Sequence, residues 1–306
     1  MHDSPYVVVL ILSYNGKHLL NEAINSYSNN NYRNKQIVVI DNGSSDGTSD
    51  YVKTKFPNVK LLRIEKNQGY SGGFNIGMEY AFKKNKADYV LITNNDVKAD
   101  NKVISSLVEA ALKNKETGFV IGKVYYYDNP DILQSVGKKH SSKFWSNGHI
   151  GGNEIDEGQY DTIEEREWCD DIYWLVSSRL YNKIGGYDTE FQFQAEDYDW
   201  QVRAKKNNFK ILYTYKSRLW HKDSATIGKF SPFKSYYDFR NPLIVHMKYR
   251  IWSDYKYYFF RKLKMLLSIT FKKIIRLEFY YILMSWSGFL SAIIWLIKTK
   301  FLFKND

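Results

Sequence analysis

The chain has 306 residues, 44% of them hydrophobic, which excludes a disordered polymer and leaves room for one large α/β domain with an appendage. Its single cysteine, Cys169, excludes an internal disulfide and a cysteine-rich metal centre, and suits a reducing compartment. The net charge of +11 is concentrated in residues 225–306, which carry fifteen basic and four acidic residues while the rest of the chain balances. A neutral body with a basic tail argues against a nucleic-acid partner and for a tail that meets an anionic surface.

The first residues lack a basic leader, and Val7–Leu12 is too short for a signal-peptide core, so the chain is expected to open with the first strand of a cytosolic domain. Ser13-Tyr14-Asn15-Gly16 follows as a loop. Leu20, Ala23, Ile24 and Tyr27 then recur at one-face helical spacing. Gln36–Ile40 is a second strand, ending at Asp41-Asn42-Gly43, and Ser45 or Asp46 caps a helix that runs to Phe56. Val59–Ile64 is a third strand, and Phe74, Met78, Ala81 and Phe82 mark the next helix. Such alternation predicts a doubly wound, mostly parallel sheet. The stretch Asn67–Gly77 is glycine-rich but lacks the dinucleotide spacing, because Ser71 stands where a second glycine is needed. Gly72, Gly73 and Gly77 are expected to let a helix lie close on the sheet, and Gly69 to let backbone approach a ligand.

Tyr89–Thr93 is a short apolar run suited to a buried parallel strand. It stops at Asn94-Asn95-Asp96, which puts a carboxylate at the strand's carboxyl end, where open α/β sheets bind ligands. That carboxylate suits a hard cation holding a diphosphate, although Asn and Asp also close ordinary turns. Farther on, Glu196 and Asp197 are expected to open a helix, with Asp199 four residues before Arg203 as an ion pair. Phe209–Tyr215 is a later strand, after which His221 appears in Leu219-Trp220-His221-Lys222. The stretch from Thr226 and Lys229 to Arg240-Asn241 suits a loop, either mobile over a diphosphate or simply solvated.

Four segments in order carry a family resemblance: Ser13-Tyr14-Asn15, Val39–Thr48, Asn67-Gln68-Gly69-Tyr70 with Asn75 and Gly77, and Asn94-Asn95-Asp96. Together they resemble the nucleotide-binding half of the family 2 glycosyltransferases, which have the GT-A fold. Ile150–Asp161 with Trp168, and Trp174–Asp188, resemble the rhamnosyltransferase-like branch. The resemblance implies an inverting transferase using a divalent metal, Mn or Mg, with a dTDP- or UDP-sugar donor and a glycan or lipid-linked acceptor of the cell surface. It implies that Ser13, Asn15, Asp41, Asn42, Asn67, Gly69, Asn94 and Asn95 bind the nucleotide sugar, Asp41 by reading the pyrimidine. Asp96 and His221 would hold the metal, and the imidazole favours Mn over Mg. Asp197 would be the base and Glu196 its partner at the acceptor hydroxyl. Asn94 departs from the acidic residue common there, which lowers the charge of the site. Trp168 and Trp174 suit either acceptor stacking or the core.

These relations divide the chain into a catalytic domain, 1–225 (nucleotide half 1–98, acceptor half 99–225), and a helical tail, 226–306. In the tail, Leu263, Leu266, Leu267, Ile274 and Leu277 share a helical face with lysines and arginines largely off it, the pattern of a membrane-surface helix. Phe279–Ile297 is uncharged and just long enough to span. A peripheral dock on the inner face of the cell membrane is the expectation, with a single span as the alternative. The competing functions are a sugar nucleotidyltransferase, which does not need a Glu-Asp base followed by a His after a strand, and an inactive glycan- or nucleotide-binding module, against which Asp41, Asp96, Asp197 and His221 together speak.

Overall fold

The computed structural model describes residues 4–141, 145–222 and 231–302. Its main sheet is built first from parallel strands: β1 (Val7–Ser13), β2 (Lys35–Asn42), β3 (Lys60–Ile64) and β4 (Tyr89–Thr93). β1 lies between β2 and β4, and β3 flanks β2, all parallel. The helices α1 (Lys17–Ser28), α2 (Thr48–Lys55) and α3 (Gly69–Met78, continuing as a π-turn to Lys84) connect them. Leu19, Leu20, Ala23, Ile24 and Tyr27 form the buried face of α1, the spacing expected from the sequence. Asp46 opens α2, its carboxylate accepting from Thr48 N at 3.0 Å. Gly73 and Gly77 let α3 lie on the sheet: side chains there would collide with Leu12 and with Ile40.

The second half mixes directions. β5 (Val97–Ala99) and α4 (Val103–Leu112) lead to β6 (Thr117–Tyr126), β7 (Leu133–Ser135) and a separate hairpin of β8 (Lys138–Ser141) and β9 (Trp145–His149). After β10 (Ile163–Arg166), β11 (Tyr173–Ser177) inserts antiparallel between β4 and β6. α5 (Ser178–Ile184) and α6 (Glu196–Lys206) precede β12 (Lys210–His221), which runs parallel to β6. The sheet order is therefore β10-β12-β6-β11-β4-β1-β2-β3. β12 is longer than the sequence suggested and contains His221, which pairs with Val97 of β5.

The tail is three helices: α7 (Pro232–Tyr249), α8 (Trp252–Ile275) and α9 (Phe279–Leu302). The loop expected up to Asn241 is instead helix from Pro232, because Ser231 caps it by accepting from Lys234 N at 3.1 Å and Pro232 occupies its first turn. Thr226 and Lys229 lie outside the described residues. α7, α8 and α9 share a core with the catalytic body: Phe191, Ala195 and Val202 cluster with Phe239, Leu243, Leu266, Phe289 and Ala292. Gly288 brings α9 so close to α7 that a Cβ there would collide with the Tyr236 backbone. The expected single face of α8 divides in two: Leu266 is buried, whereas Leu267 and Ile274 are exposed. Leu277 lies in the turn after the helix. Phe279–Thr299 of α9 is the one helix among the described residues long and apolar enough to cross a membrane.

Candidate active site

The parallel strands deliver their loops to one sheet edge, and hydrogen bonds tie those loops together. Asn15, at φ +49°, accepts from Ser45 N at 2.8 Å, while its own N–H donates to Ser44 Oγ at 2.9 Å. Asn42 donates to Asn67 Oδ1 and to the Gly69 carbonyl at 3.0 and 2.9 Å, and accepts from Gln68 N at 2.9 Å. Asn95 donates to Ser13 Oγ at 3.4 Å. Asn94 N donates to the Ile172 carbonyl at 3.2 Å, joining the end of β4 to the start of β11.

Gly69, at φ +71°, is needed for packing: a Cβ would lie 2.9 Å from the Gln192 carbonyl oxygen. Asp41, expected to read the base, is fully buried and turned into its own loop. Its carboxylate accepts from Ser44 N at 3.0 Å, from Ser49 Oγ, and from Arg63 Nη1 at 2.6 Å. Burial pushes this carboxyl up, but the bonds from Ser44, Ser49 and Arg63 outweigh it and hold it below its ordinary value. Asp41 thus organises the turn after β2.

At the end of β4, Asp96 Oδ1 lies 3.3 Å from His221 Nε2, both side chains nearly buried. His221 Nδ1 faces Gln134 Oε1 at 2.9 Å. With the Nδ1 proton donated to Gln134, the Nε2 lone pair faces a carboxylate, an arrangement satisfied by a proton on Nε2 or by a cation between the two. The donor set, one carboxylate and one imidazole, is of a kind that suits a divalent metal, and no third metal-binding side chain joins it among the described residues.

A second cluster forms where α6 begins. Glu196 and Asp197 are buried beside Asp170 and Asp171, the residues that lead into β11. Lys138 reaches in from β8, 3.0 Å from Asp170 and 3.3 Å from Asp197. His149 contacts Asp170 at 3.4 Å, and Ser135 Oγ donates to it at 2.9 Å. Tyr187 donates to the Asp171 carboxylate at 3.3 Å. Glu196 Oε2 is buried with no hydrogen-bond partner among the described residues.

Burial, then the neighbouring carboxylates Asp171 and Asp197, push the Glu196 carboxyl well up, favouring its neutral form. Burial also raises Asp197, against the pull of Lys138. Asp170 is driven down: burial opposes its charge, but Lys138 and His149 prevail. Asp171 is pushed up to about 7 by burial and by repulsion from Asp197. The cluster combines one firmly ionised carboxylate with three that resist ionising together, the condition for holding and moving a proton near neutrality.

The two tryptophans do not join this site. Trp174 is fully buried in β11, stacked on Phe119 with ring centroids 4.5 Å apart and edge-on to Trp200. Its role is the core, because no face is open to a sugar. Trp168 is also buried, with Lys205 Nζ 4.0 Å over its ring and Tyr198 beside it. It borders a groove with Val202, Lys206 and Tyr249, toward the far end of α6 from Glu196 and Asp197. Sequence reasoning missed Asp170, Asp171, Lys138 and Gln134. The adjacent acidic pair before a strand was a visible signal for the first two. Lys138 and Gln134 carry none, because only tertiary pairing brings their strands here.

The model for glycosyl transferase family 2 matches residues 8–162. The chain belongs to that family. This family 2 member is 24% identical over 222 residues to the poly-beta-1,6-N-acetyl-D-glucosamine synthase of Staphylococcus epidermidis, an alignment covering 72% of the chain and 50% of the relative. It is 23% identical over 209 residues to the N-acetylglucosaminyl-diphospho-decaprenol L-rhamnosyltransferase of Mycobacterium tuberculosis, covering 63% and 68%. The chain thus spans about half the length of the synthase.

Among solved structures it resembles GalNAc-T7 with UDP, GalNAc and Mn2+, at a TM-score of 0.59 and 15% identity, over 72% of the chain and 44% of that one. It also resembles the mannosyltransferase PcManGT of Pyrobaculum calidifontis with GDP-Man and Mn2+, at 0.54 and 15%, over 81% and 64%. These likenesses establish the GT-A-like fold.

The Asp171 carboxyl gives a testable pH signature. Its native pKa of about 7 lies above the ordinary value of 3.8. Between those values the unfolded chain ionises this group and the native one does not, so its contribution to stability falls as pH rises. Asp171→Asn should therefore gain stability relative to the parent on going from pH 5 to pH 8, read by urea unfolding. Parallel pH dependence of the two proteins would show that Asp171 is not raised.

Proposed function

We propose that this family 2 glycosyltransferase is an inverting enzyme that moves a sugar from a dTDP- or UDP-sugar to a cell-surface glycan or lipid-linked acceptor. The observation that carries the reading is the short segment Gln134–Lys138. Gln134 contacts His221, Ser135 contacts Asp170, and Lys138 contacts Asp197. Donor and acceptor chemistry are therefore linked through five consecutive residues that run from β7 into β8.

In this reading the nucleotide lies over the loops of Ser13, Asn15, Asn42, Asn67, Gly69, Asn94 and Asn95, with Asp41 shaping the loop beneath it. Asp96 and His221 would hold a divalent cation, which would supply positive charge to the diphosphate leaving group. Asp197 accepts the proton of the acceptor hydroxyl as that oxygen attacks the anomeric carbon. Glu196, kept neutral by its surroundings, donates a hydrogen bond that orients the hydroxyl. A single displacement from the face opposite the nucleotide inverts the anomeric centre. Rhamnose is our first candidate sugar, on the likeness to a rhamnosyltransferase. A nucleotidyltransferase has no use for the buried carboxylate cluster beside the Asp96–His221 pair.

We place the enzyme on the inner membrane face, with α8 and α9 lying along it. Phe260, Leu267 and Phe271 of α8, and Leu283, Leu290 and Ile294 of α9, are exposed apolar residues at helical spacing. Lys264, Lys272 and Arg276 are exposed beside them on α8 and its end. The inner side of α9 is bonded to α7, Ser285 to Ser235 at 2.6 Å and Ser291 to Tyr236 at 3.2 Å. α7 is bonded in turn to the catalytic body, so a spanning α9 would drag charged α7 residues into hydrocarbon.

Incubation with a panel of nucleotide sugars and Mn2+, assayed for released nucleoside diphosphate, tests the activity. We expect turnover with a dTDP- or UDP-sugar, and its loss in Asp96→Ala; full activity in that variant or in excess chelator would remove the metal role. Asp197→Asn should keep donor binding while turnover falls about 10²–10⁴-fold, the range of general acid–base catalysis. Parallel loss of donor binding would make Asp197 a ligand or a structural residue. At the membrane, each basic residue near an anionic surface contributes about 1 kcal/mol. The full chain should float with phosphatidylglycerol vesicles, less so in high salt but not to zero, because apolar burial persists. Complete release by salt would mean that the apolar faces do not enter the bilayer.

A further inference from the structure

The turn that feeds the candidate base is strained. Gln194 and Ala195, consecutive and neither of them glycine, adopt φ +68° and +69° immediately before α6 begins at Glu196. Side chains disfavour this left-handed region, so such a pair persists only where its surroundings impose it. On one side the grip comes from the start of α3. Tyr70 N donates to the Gln192 carbonyl at 2.8 Å, and Ser71 Oγ donates to that of Phe191.

On the other side it comes from the tail. Asn241 of α7, fully buried, donates through Nδ2 to the carbonyls of Phe193 at 2.7 Å and Gln194 at 3.1 Å. Its Oδ1 accepts from Arg240 Nη1 at 2.6 Å, which fixes the amide with its donors toward the turn. Arg240 also donates to the Glu190 carbonyl at 3.2 Å and pairs with the Glu190 carboxylate. The next residue anchors the helix at this point. Pro242 has no N–H for the Asp238 carbonyl four residues earlier, and Lys262 of α8 donates to that oxygen at 2.8 Å. One face of α7 thus holds the turn while its backbone is held by α8.

We propose that Asn241 is a positioning residue for the transfer reaction: its side-chain amide imposes the left-handed Gln194–Ala195 turn and so sets where Glu196 and Asp197 lie. The proposal rests on the assignment of those two residues as the acceptor-activating pair. It gives the tail a part in the chemistry, since α7 carries the clamp and packs on α9. A buried asparagine that merely filled space would be indifferent to the backbone conformation of the turn it faces.

That difference supplies the test, made in the full chain with Asn241→Ala, Ala195→Gly and the double variant. Glycine adopts positive φ without strain, so Ala195→Gly should relieve the need for the clamp. Amide hydrogen exchange over residues 188–200 should rise in Asn241→Ala and return toward the parent in the double variant. With the nucleotide sugar that the parent turns over, Asn241→Ala should lose about tenfold to a hundredfold in kcat, the scale of a small misplacement. UDP or dTDP affinity should be unchanged, and Ala195→Gly should recover part of the lost kcat.

Should Asn241→Ala fail to fold, Asn241→Asp keeps the size and the Arg240 contact while removing the donor, and should show the same exchange. Unchanged exchange over 188–200, or a loss that Ala195→Gly does not reduce, would overturn the proposal. Absence of turnover in the parent would count against the proposed function alone, because the exchange measurement does not depend on it.

Discussion

The segment Gln134–Lys138, which bends at Val136 and Gly137 between β7 and β8, is the constraint on which the site depends. It lies against β6 in β7 and continues into β8, and its side chains reach both chemical centres. Gln134 sets the face that His221 turns toward Asp96, and Lys138 supplies the positive charge among four acidic side chains. Without that cation, only His149, beside Asp170, would oppose the charge of the four carboxylates, and burial would force protons onto most of them. The antiparallel insertion of β11 makes this geometry reachable. It brings Asp170 and Asp171 to the end of β4, where a purely parallel sheet would have placed another helix.

The tail is a structural extension of the catalytic body. α7 contributes Phe239 and Leu243 to the core that also holds Phe191 and Val202, and Lys248 and Tyr249 bind the buried Asp199 carboxylate at 2.7 and 2.5 Å. Asp199 also pairs with Arg203 at 2.7 Å, the i,i+4 contact expected from the sequence, but two groups from α7 complete it. The helix bearing the candidate base is thus tied to α7 through Asp199. The exposed apolar faces of α8 and α9 belong to the same packed assembly and are joined to the helix of Glu196 and Asp197 through α7.

The parallel half of the fold was legible because local signals agreed: apolar runs for β1, β2 and β4, one-face spacing for α1, and loops rich in Asn, Asp and Gly between them. Asp96 could be singled out because a strand's end is visible in sequence as the place where apolar residues stop. His221 was legible only through family resemblance, and the structure brings it to Asp96 by pairing β12 with β5. Spacing shows that a carboxylate, Asp41, follows β2 but not which way it turns. Arg63 on the neighbouring strand, with Ser44 and Ser49, decides that. Trp174 was ambiguous for a similar reason: an aromatic residue in an apolar strand has the same sequence signature in a core and in a sugar site. α7 was obscured by its polar residues and internal proline, although Ser231 and Pro232 mark its start and contacts with α6, α8 and α9 hold it in place.

The central claim is that Asp96 and His221 together hold the cation of the donor complex. Pulsed electron paramagnetic resonance on Mn2+ bound with UDP or dTDP reads this directly, because an imidazole ligand imprints a nitrogen coupling that carboxylates and phosphates do not. The account predicts that coupling in the parent protein and its loss in His221→Gln. Mn2+ bound in the ternary complex with no histidine nitrogen coupling would contradict it.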